Sequence, residues 1–383
     1  MASATPLGDD KYKLFVELGY NDKGKRIRKT KTVTAKSNRA LNKAITAFEI
    51  EVHEKHKGVD VENITFEDFV DRWMKLYVKP ECSIRTRDTY NTYLRNGIMD
   101  EFRNMKLSKI KTFHIVQFFK EHKEAGGKTL QGKHLMLRSI FTRAKKWDVI
   151  SKSPMDDVEY PKTEKRKREI YFYDQEQMKY VLDILDAHVY KKNAVQAKLA
   201  MLVGLRMSEI AGIRIENINF NENSIYIDKT LQYDKETKQF SLGPTKTKKP
   251  RTVYVSSRFM NEIKEYVKKQ RKLQIDCGQA WNPLLDEDDT PINFLFTNEV
   301  GYPNHIKSMG NEWIKIVKRH NLPPLNFHGL RHTCASFMLS QGVDFKKIQE
   351  QLGHNDIRET MNTYSHLTPK DRAEASNVFN EIL

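Results

Sequence analysis

The run His328-Gly329-Leu330-Arg331-His332, followed by Leu352-Gly353-His354 and then by Thr363-Tyr364-Ser365-His366, is the stretch from which the rest of the chain can be read. The first group opens a predicted helix ending at Ser340, and a second predicted helix, Phe345 to Leu352, stops at the Gly-His pair. Upstream, Gly204-Leu205-Arg206-Met207-Ser208-Glu209 closes one apolar helix and opens another, and Pro244-Thr245-Lys246-Thr247 precedes a strand. Taken singly, each group is weak. An arginine at a helix start is usually structural, a tyrosine is usually core, and a lysine near a hairpin is usually solvated.

Outward from these groups, residues 170–383 read as mixed. Apolar spacing predicts helices over Asp174–His188, Asn193–Leu205, Arg258–Leu273, Gly310–His320 and Arg358–Thr363, and strands over Ser224–Ile227 and Thr252–Val255 with a hairpin in Lys229–Phe240. Residues 62–157 read as wholly helical. Thr65 and Asp68 have capping-box spacing ahead of a face formed by Phe69, Val70, Trp73, Leu76 and Tyr77, and Ser83 opens the next helix. Further helices follow at Lys111–His122 and Lys128–Asp148. Aromatic residues at this spacing belong to a core rather than to base-stacking platforms. Arg85, Arg87, Arg95, Lys128, Lys133, Arg138, Arg143 and Lys145 are expected on the outside.

The first sixty residues begin with a strand, Lys11–Leu18, with Tyr12, Leu14, Val16 and Leu18 on one face. A turn at Asn21-Asp22-Lys23-Gly24 returns the chain as Arg26–Val33, and Lys36–His56 has helical spacing. Lys11 to Lys43 holds eleven basic side chains against two acidic ones, and Arg26, Arg28, Thr30 and Thr32 share a face. A polar, charged ribbon of this kind suits a DNA major groove, with Lys11, Lys13, Arg26 and Arg28 as candidate contacts. The competing reading is a solvated hairpin. Tyr160–Glu169 has no apolar periodicity and carries Lys165 and Arg166 in a basic run, so it reads as an extended linker suited to a DNA backbone. The expected division is therefore 1–60, 61–158, a linker at 159–169, and 170–383. The expected fold is α+β and mostly helical: a small sheet plus helix, an all-helical domain, then a mixed α/β domain.

Sixty-six lysines and arginines against fifty acidic residues leave a net charge of +16, which favours a polyanionic partner. No apolar run is long enough to span a membrane, and Met1–Asp10 lacks the core of a signal peptide. Cys82, Cys277 and Cys334 lie far apart, which fits a reducing cytoplasm better than a disulfide framework.

Transfer of a phosphodiester requires a nucleophile, stabilisation of a pentavalent phosphorane, and a proton for the leaving oxygen. Arginine forks match the non-bridging oxygens, histidine adds a donor or exchanges a proton, and lysine supplies the leaving-group proton. A tyrosine phenol, with a free pKa of about 10, attacks once its proton is drawn away. Arg206, Lys246, His328, Arg331, His354 and Tyr364 supply that inventory with no metal or other cofactor.

In order and spacing these six resemble the signature of the tyrosine recombinases, in particular the integrases of phages and conjugative transposons. Arg206 to Glu209 is similar to that family's first arginine box, Lys246 to its lysine position, His328 to Arg331 to its HxxR box, and Leu-Gly-His354 to the following position, with Tyr364 ten residues on. Phe69, Trp73, Thr89–Tyr93 and Ile150–Pro154 resemble the family's core-site-binding domain, for which Arg85, Arg87 and Arg138 are candidate DNA contacts. The basic hairpin resembles the arm-site-binding domain. The resemblance implies that Tyr364 forms a 3'-phosphotyrosine and Lys246 protonates the 5'-oxygen. Arg206, Arg331 and His354 would hold the transition state, His328 would accept a proton or bind phosphate, and Glu209 would brace the site. It further implies double-stranded DNA with core and arm sites as partner, a tetramer on DNA coupled by an exchanged C-terminal tail, strand exchange through a four-way junction, and accessory excision and DNA-bending proteins.

Rivals remain at the level of sequence. Lys248 competes with Lys246, since Lys249 and Arg251 crowd the same stretch. His328 and His332 have a zinc-ligand spacing, but Gly329 stands where a base would be needed, and His332 reads better as a packing residue. A type IB topoisomerase shares the chemistry, and a DNA-binding regulator with a decayed site is the alternative from another class.

Overall fold

The computed structural model describes residues 2–8, 11–20, 26–35, 40–41, 44–48, 63–126, 129–161, 171–247, 249–354, 356 and 361; of residues 2, 17–20, 26 and 27 it describes the backbone alone. Tyr364, Lys248, Lys128, the linker from residue 162 on with Lys165 and Arg166, and the tail from residue 362 lie outside the described residues, as does most of the expected Arg358–Thr363 helix. The chain divides into two compact units, Met1–Thr163 and Glu164–Leu383.

The first unit opens with a three-stranded antiparallel sheet, β1 (Ala2–Gly8), β2 (Lys11–Tyr20) and β3 (Arg26–Thr34), in the order β1-β2-β3. Strand β1 goes beyond the sequence reading: it pairs with β2 in the register Ala4↔Leu14 and Thr5↔Lys13. Leu14 and Val16 are fully buried against Phe48, in the helical residues 44–48, so period-two alternation sends Lys11, Lys13 and Phe15 to the opposite, outward face. Thr30 and Thr32 of β3 pair with Phe15 and Lys13, and the Arg28 guanidinium lies 4.8 Å from the Phe15 ring centre.

The rest of this unit is helical. Helix α1 starts at Phe66–Trp73, passes through a π-helical turn at Met74–Val78 and ends at Lys79–Glu81. Thr65 caps it, its Oγ1 accepting from the Asp68 amide at 3.1 Å; the short Asp68 side chain accepts from that same hydroxyl instead of reaching back to the backbone. Phe66, Phe69, Val70 and Trp73 are buried, but Leu76, expected on the same face, is 68% exposed. The wider π turn rotates the stripe and delivers Val78 to the core in its place.

Helix α2 (Ile84–Tyr93), capped by Ser83, continues through a turn at Leu94–Ile98, broken at Asn96 and Gly97, into Met99–Phe102. Helices α3 (Thr112–Glu124) and α4 (Leu130–Lys146) complete the bundle around Trp73, Phe102, Leu137 and Phe141. Lys133, expected on the outside, is buried: its ammonium bonds to the Asn96 carbonyl and to His122 Nε2. It fills the acceptor left unpaired where the helix breaks.

The second unit packs helices around two small sheets. Helix α5 (Gln175–Ala187) is capped reciprocally by Asp174 and Gln177. Helix α6 (Lys191–Lys198) continues through a π-helical turn at Leu199–Val203, and the short α7 (Met207–Ala211) follows. Strands β4 (Ile218–Asn219), β5 (Ser224–Ile227) and β8 (Arg251–Tyr254) form an antiparallel sheet with Ile225 opposite Val253. Strands β6 (Lys229–Asp234) and β7 (Gln239–Pro244) form a separate hairpin, turned by Asp234 accepting from the Glu236 amide. Helices α8 (Ser257–Cys277), α9 (Lys307–Arg319), α10 (Phe327–Ser340) and α11 (Phe345–Leu352) complete the described part. Ile210, Leu231, Val253, Ile263, Trp313 and Leu330 meet in its core. The molecule is thus α+β and mostly helical. Among the described residues, no helix is long and apolar enough to cross a membrane.

Candidate active site

Three chain reversals in the second unit bring the candidate residues together. Helix α6 ends at Gly204, whose φ of +77° suits glycine, and a Cβ there would lie 2.5 Å from Leu352. The chain then turns through buried Leu205 so that Arg206 caps α7, its amide donating to Glu209 Oε2 at 3.0 Å. Asn326 caps α10 by accepting from the Gly329 amide at 2.9 Å, which starts the helix one turn before Arg331. Helix α11 ends at Gly353, with φ +67°, and releases the chain at His354.

Arg331 is buried, and its Nη1 donates to the Gly204 carbonyl at 2.6 Å, so α10 grips the corner that carries Arg206. Arg206 Nη1 donates to Glu209 Oε1 at 2.8 Å, and its Nη2 donates to the Gly353 carbonyl at 3.0 Å. One arginine therefore ties α7 to the end of α11. Gln351 reinforces the joint by donating to the Val203 carbonyl at 3.2 Å, and Gln349 donates to the carbonyl of His354 itself at 3.1 Å.

Glu209 is the anion inside this group, with its side chain 1% exposed. Burial by itself would raise its pKa. The hydrogen bonds and charge of Arg251, with the charge of Arg206, hold it down to about 2. The histidines are pushed toward the neutral form. Burial, with the charges of Arg331 and Arg206 and lesser effects from His332 and Arg251, brings His354 to about 3. Burial, with His328 and Arg331, brings His332 to about 4. The rings of His328 and His332 meet edge to face, with centres 4.8 Å apart. A buried site with this excess of positive charge is suited to receiving an anion.

Lys246 is exposed in the β7–β8 connection, just beyond a buried Thr245 whose Oγ1 donates to the Lys249 carbonyl at 3.3 Å. The hairpin that presents this loop is anchored by Tyr233 stacking on Phe240 and His305, with centres 4.9 and 5.0 Å apart. Five of the predicted residues, Arg206, Glu209, His328, Arg331 and His354, thus share one neighbourhood with His332. Of the remaining DNA-contact candidates, Lys11, Lys13, Arg28, Arg85 and Arg138 are exposed and Arg87 is partly so. Arg26 lies on β3, with only its backbone described.

Arg251 was not singled out by the sequence reading. Its Nη1 and Nη2 donate to the two oxygens of Glu209 at 3.1 and 2.9 Å, and its Nε donates to the Gln351 carbonyl at 3.2 Å. The available signal was strand phase. Residues 251, 253 and 255 point inward together, and an inward arginine needs a buried anion.

Residues 172–371 match the model of the phage integrase family, and residues 65–122 match its N-terminal SAM-like domain. The chain belongs to the phage integrase family. It is similar to a "Tyrosine recombinase XerC-like" protein of Caldanaerobacter subterraneus subsp. tengcongensis, 25% identical over 98% of this chain and 97% of that protein. It is also similar to the ICEBs1 integrase of Bacillus subtilis, 24% identical over the whole of both chains. Among solved structures, the Tn1549 transposon integrase in complex with a circular intermediate DNA has a TM-score of 0.67 at 20% identity, covering 82% of this chain and 99% of that one. A lambda integrase tetramer bound to a Holliday junction has a TM-score of 0.52 at 15% identity, covering 93% and 96%. The fold and enzyme class expected from the sequence, a tyrosine recombinase, therefore stand.

Proposed function

We propose that this integrase is a site-specific recombinase that inserts and excises a mobile element, prophage or conjugative transposon, acting on double-stranded DNA in the cytoplasm. The observation that carries the reading is the convergence of Arg206, Arg331 and His354, from three separate elements, at a site where burial and positive charge keep His354 neutral. In the proposed step, Tyr364 Oη attacks phosphorus and the P–O5' bond breaks, leaving a 3'-phosphotyrosyl enzyme. The phenolic proton passes to His328, or His328 binds phosphate while solvent takes the proton. Lys246 gives a proton to the departing 5'-oxygen. The two arginines neutralise the charge that develops on the non-bridging oxygens, and His354 donates a hydrogen bond to them. Because the phosphotyrosyl bond conserves the energy of the bond it replaces, ligation onto a partner strand through a Holliday junction needs no nucleotide.

The proposed division of labour assigns 1–60 to arm sites, 61–158 to core sites, 159–169 to a basic linker, and 170–383 to catalysis with an exchanged tail. Support for the first comes from the outward sheet face, where Lys11, Lys13 and Arg28 flank Phe15. Arg85, Arg87 and Arg138 on α2 and α4, with Lys165 and Arg166 of the linker, complete the proposed contacts. Self-association as a tetramer on DNA extends to this chain the assembly in which lambda integrase was solved. Excision and DNA-bending accessory proteins are proposed as further partners.

The test is a nicked suicide substrate, which traps the cleaved strand. Wild-type protein should form a covalent adduct that maps to Tyr364. Tyr364→Phe should form none while keeping its DNA affinity, and Arg206→Ala should lose about a thousandfold in rate if it supplies ~4 kcal/mol to the transition state. Wild-type cleavage by either variant refutes the assignment.

A further inference from the structure

We propose that Arg251 is the positioning residue of this site, setting Arg206 and His354 in place through Glu209 and the end of α11 without touching the phosphate. The inference rests on the catalytic reading above. Four donors converge on the Glu209 carboxylate: the Arg206 amide and Nη1, and both terminal nitrogens of Arg251. Those four occupy the lone-pair sites a carboxylate offers, so its orientation is fully determined. The third direction of the Arg251 fork, Nε, holds the Gln351 carbonyl in the last turn of α11. Gly353 lies flat against the same guanidinium: a Cβ at that position would stand 2.7 Å from Arg251 Cζ. One side chain, 11% exposed, therefore joins β8, α7 and α11, bonding α11 three residues before His354.

The arrangement also partitions charge. Glu209 is shared between two guanidiniums, so Arg206 gives it a single terminal nitrogen and sends the other toward Gly353. Without Arg251, two acceptor sites on a buried carboxylate fall vacant. The nearest remaining cation, Arg206, would turn to fill them with its own fork, withdrawing from the phosphate position. The end of α11 would lose its tie to β8 at the same time. The expected signature is a slower chemical step at unchanged DNA affinity, because positioning acts on the transition state and not on ground-state binding.

The experiment uses full-length protein with the suicide substrate, in single turnover at saturating DNA. Arg251→Ala should cleave about a hundredfold more slowly, with Kd for DNA within about threefold of wild type. It should also gain an acid limb in its rate–pH profile, since burial then raises Glu209 unopposed by the fork, and Glu209→Gln in the same background should abolish that limb. A residue that merely supports the fold would not move this profile. Arg251→Lys keeps a buried cation but cannot span both oxygens and Gln351, and should cleave about tenfold more slowly with a native melting curve. Should Arg251→Ala fail to fold, Arg251→Lys decides the question. A lysine variant that cleaves at the wild-type rate, or whose whole defect lies in Kd, overturns the proposal. Absence of an adduct from wild-type protein would instead strike the catalytic reading beneath it.

Discussion

Acid should destabilise the second unit from well above the carboxylate range, and the cause should be two histidines. His354 and His332 are held at about 3 and about 4 in the folded protein by burial and by the arginines beside His354, against 6.5 when unfolded. Because both folded values are depressed, the unfolded chain takes up protons first as pH falls below 6.5, and native stability declines until the folded values are reached. Two excess protons in the unfolded state correspond to a slope of about 2.7 kcal/mol per pH unit. Both rings remain partly open to water, so screening narrows the pH window over which that full slope applies. Acidification from pH 6.5 to 5 should therefore cost about 2 kcal/mol, a large part of a typical domain's stability. Glu209 adds a separate loss of the same sign only below 4.5, as pH falls toward about 2. The measurement is urea unfolding of wild type and of the His332→Asn/His354→Asn double variant at pH 7, 6 and 5. The double variant keeps every other histidine, so the difference in slope isolates this pair. Equal pH slopes in the two proteins would refute the reasoning. Bound DNA should oppose the effect, because a phosphate among these groups favours the protonated rings.

Removing residues 1–60 should abolish one class of footprints on genomic fragments while leaving another; loss of both classes, or of neither, would contradict separate arm and core sites. Gly353→Ala places a side chain at φ +67° and within 2.7 Å of a guanidinium held at three points, so no cheap relaxation is open to it. It should cost about 2–3 kcal/mol, lowering Tm by several degrees, and should slow cleavage; a melting curve unchanged from wild type would show that the contact relaxes freely.

Where local pattern and tertiary environment agree, the sequence reading matched the observed elements: Ser224–Ile227 and Phe345–Leu352 are strand and helix with those very bounds. Disagreement arose wherever distant contacts decide. Strand β1, Ala2-Ser3-Ala4-Thr5-Pro6-Leu7-Gly8, has no apolar alternation and contains a proline. It exists as an edge strand through its pairing with β2, a position that tolerates proline. Leu76 is exposed because a π turn changes the helical period, which a fixed 3.6-residue template cannot foresee. Lys133 is buried because a break thirty-seven residues upstream leaves a carbonyl to satisfy. At the site, Arg206, Arg331 and His354 were legible because phosphoryl chemistry limits which side chains are useful. Arg251 was not, because its value lies in a partner forty-two residues away that no local spacing reveals.

The site concentrates positive charge before any substrate arrives. Arg206 and Arg251 share the buried carboxylate of Glu209, while the buried Arg331 donates to the Gly204 carbonyl. A second carboxylate would ease the repulsion and stabilise the empty protein, but it would also compete with phosphate for the same donors. One carboxylate, shared as it is, leaves a net positive field that adds to burial in keeping the two imidazoles neutral. The burial and charge that weaken the fold in acid therefore also keep His332 and His354 neutral in the absence of an anion. In the proposed reaction, stability toward acid and readiness for phosphoryl transfer are set against each other by the same burial and the same arginines.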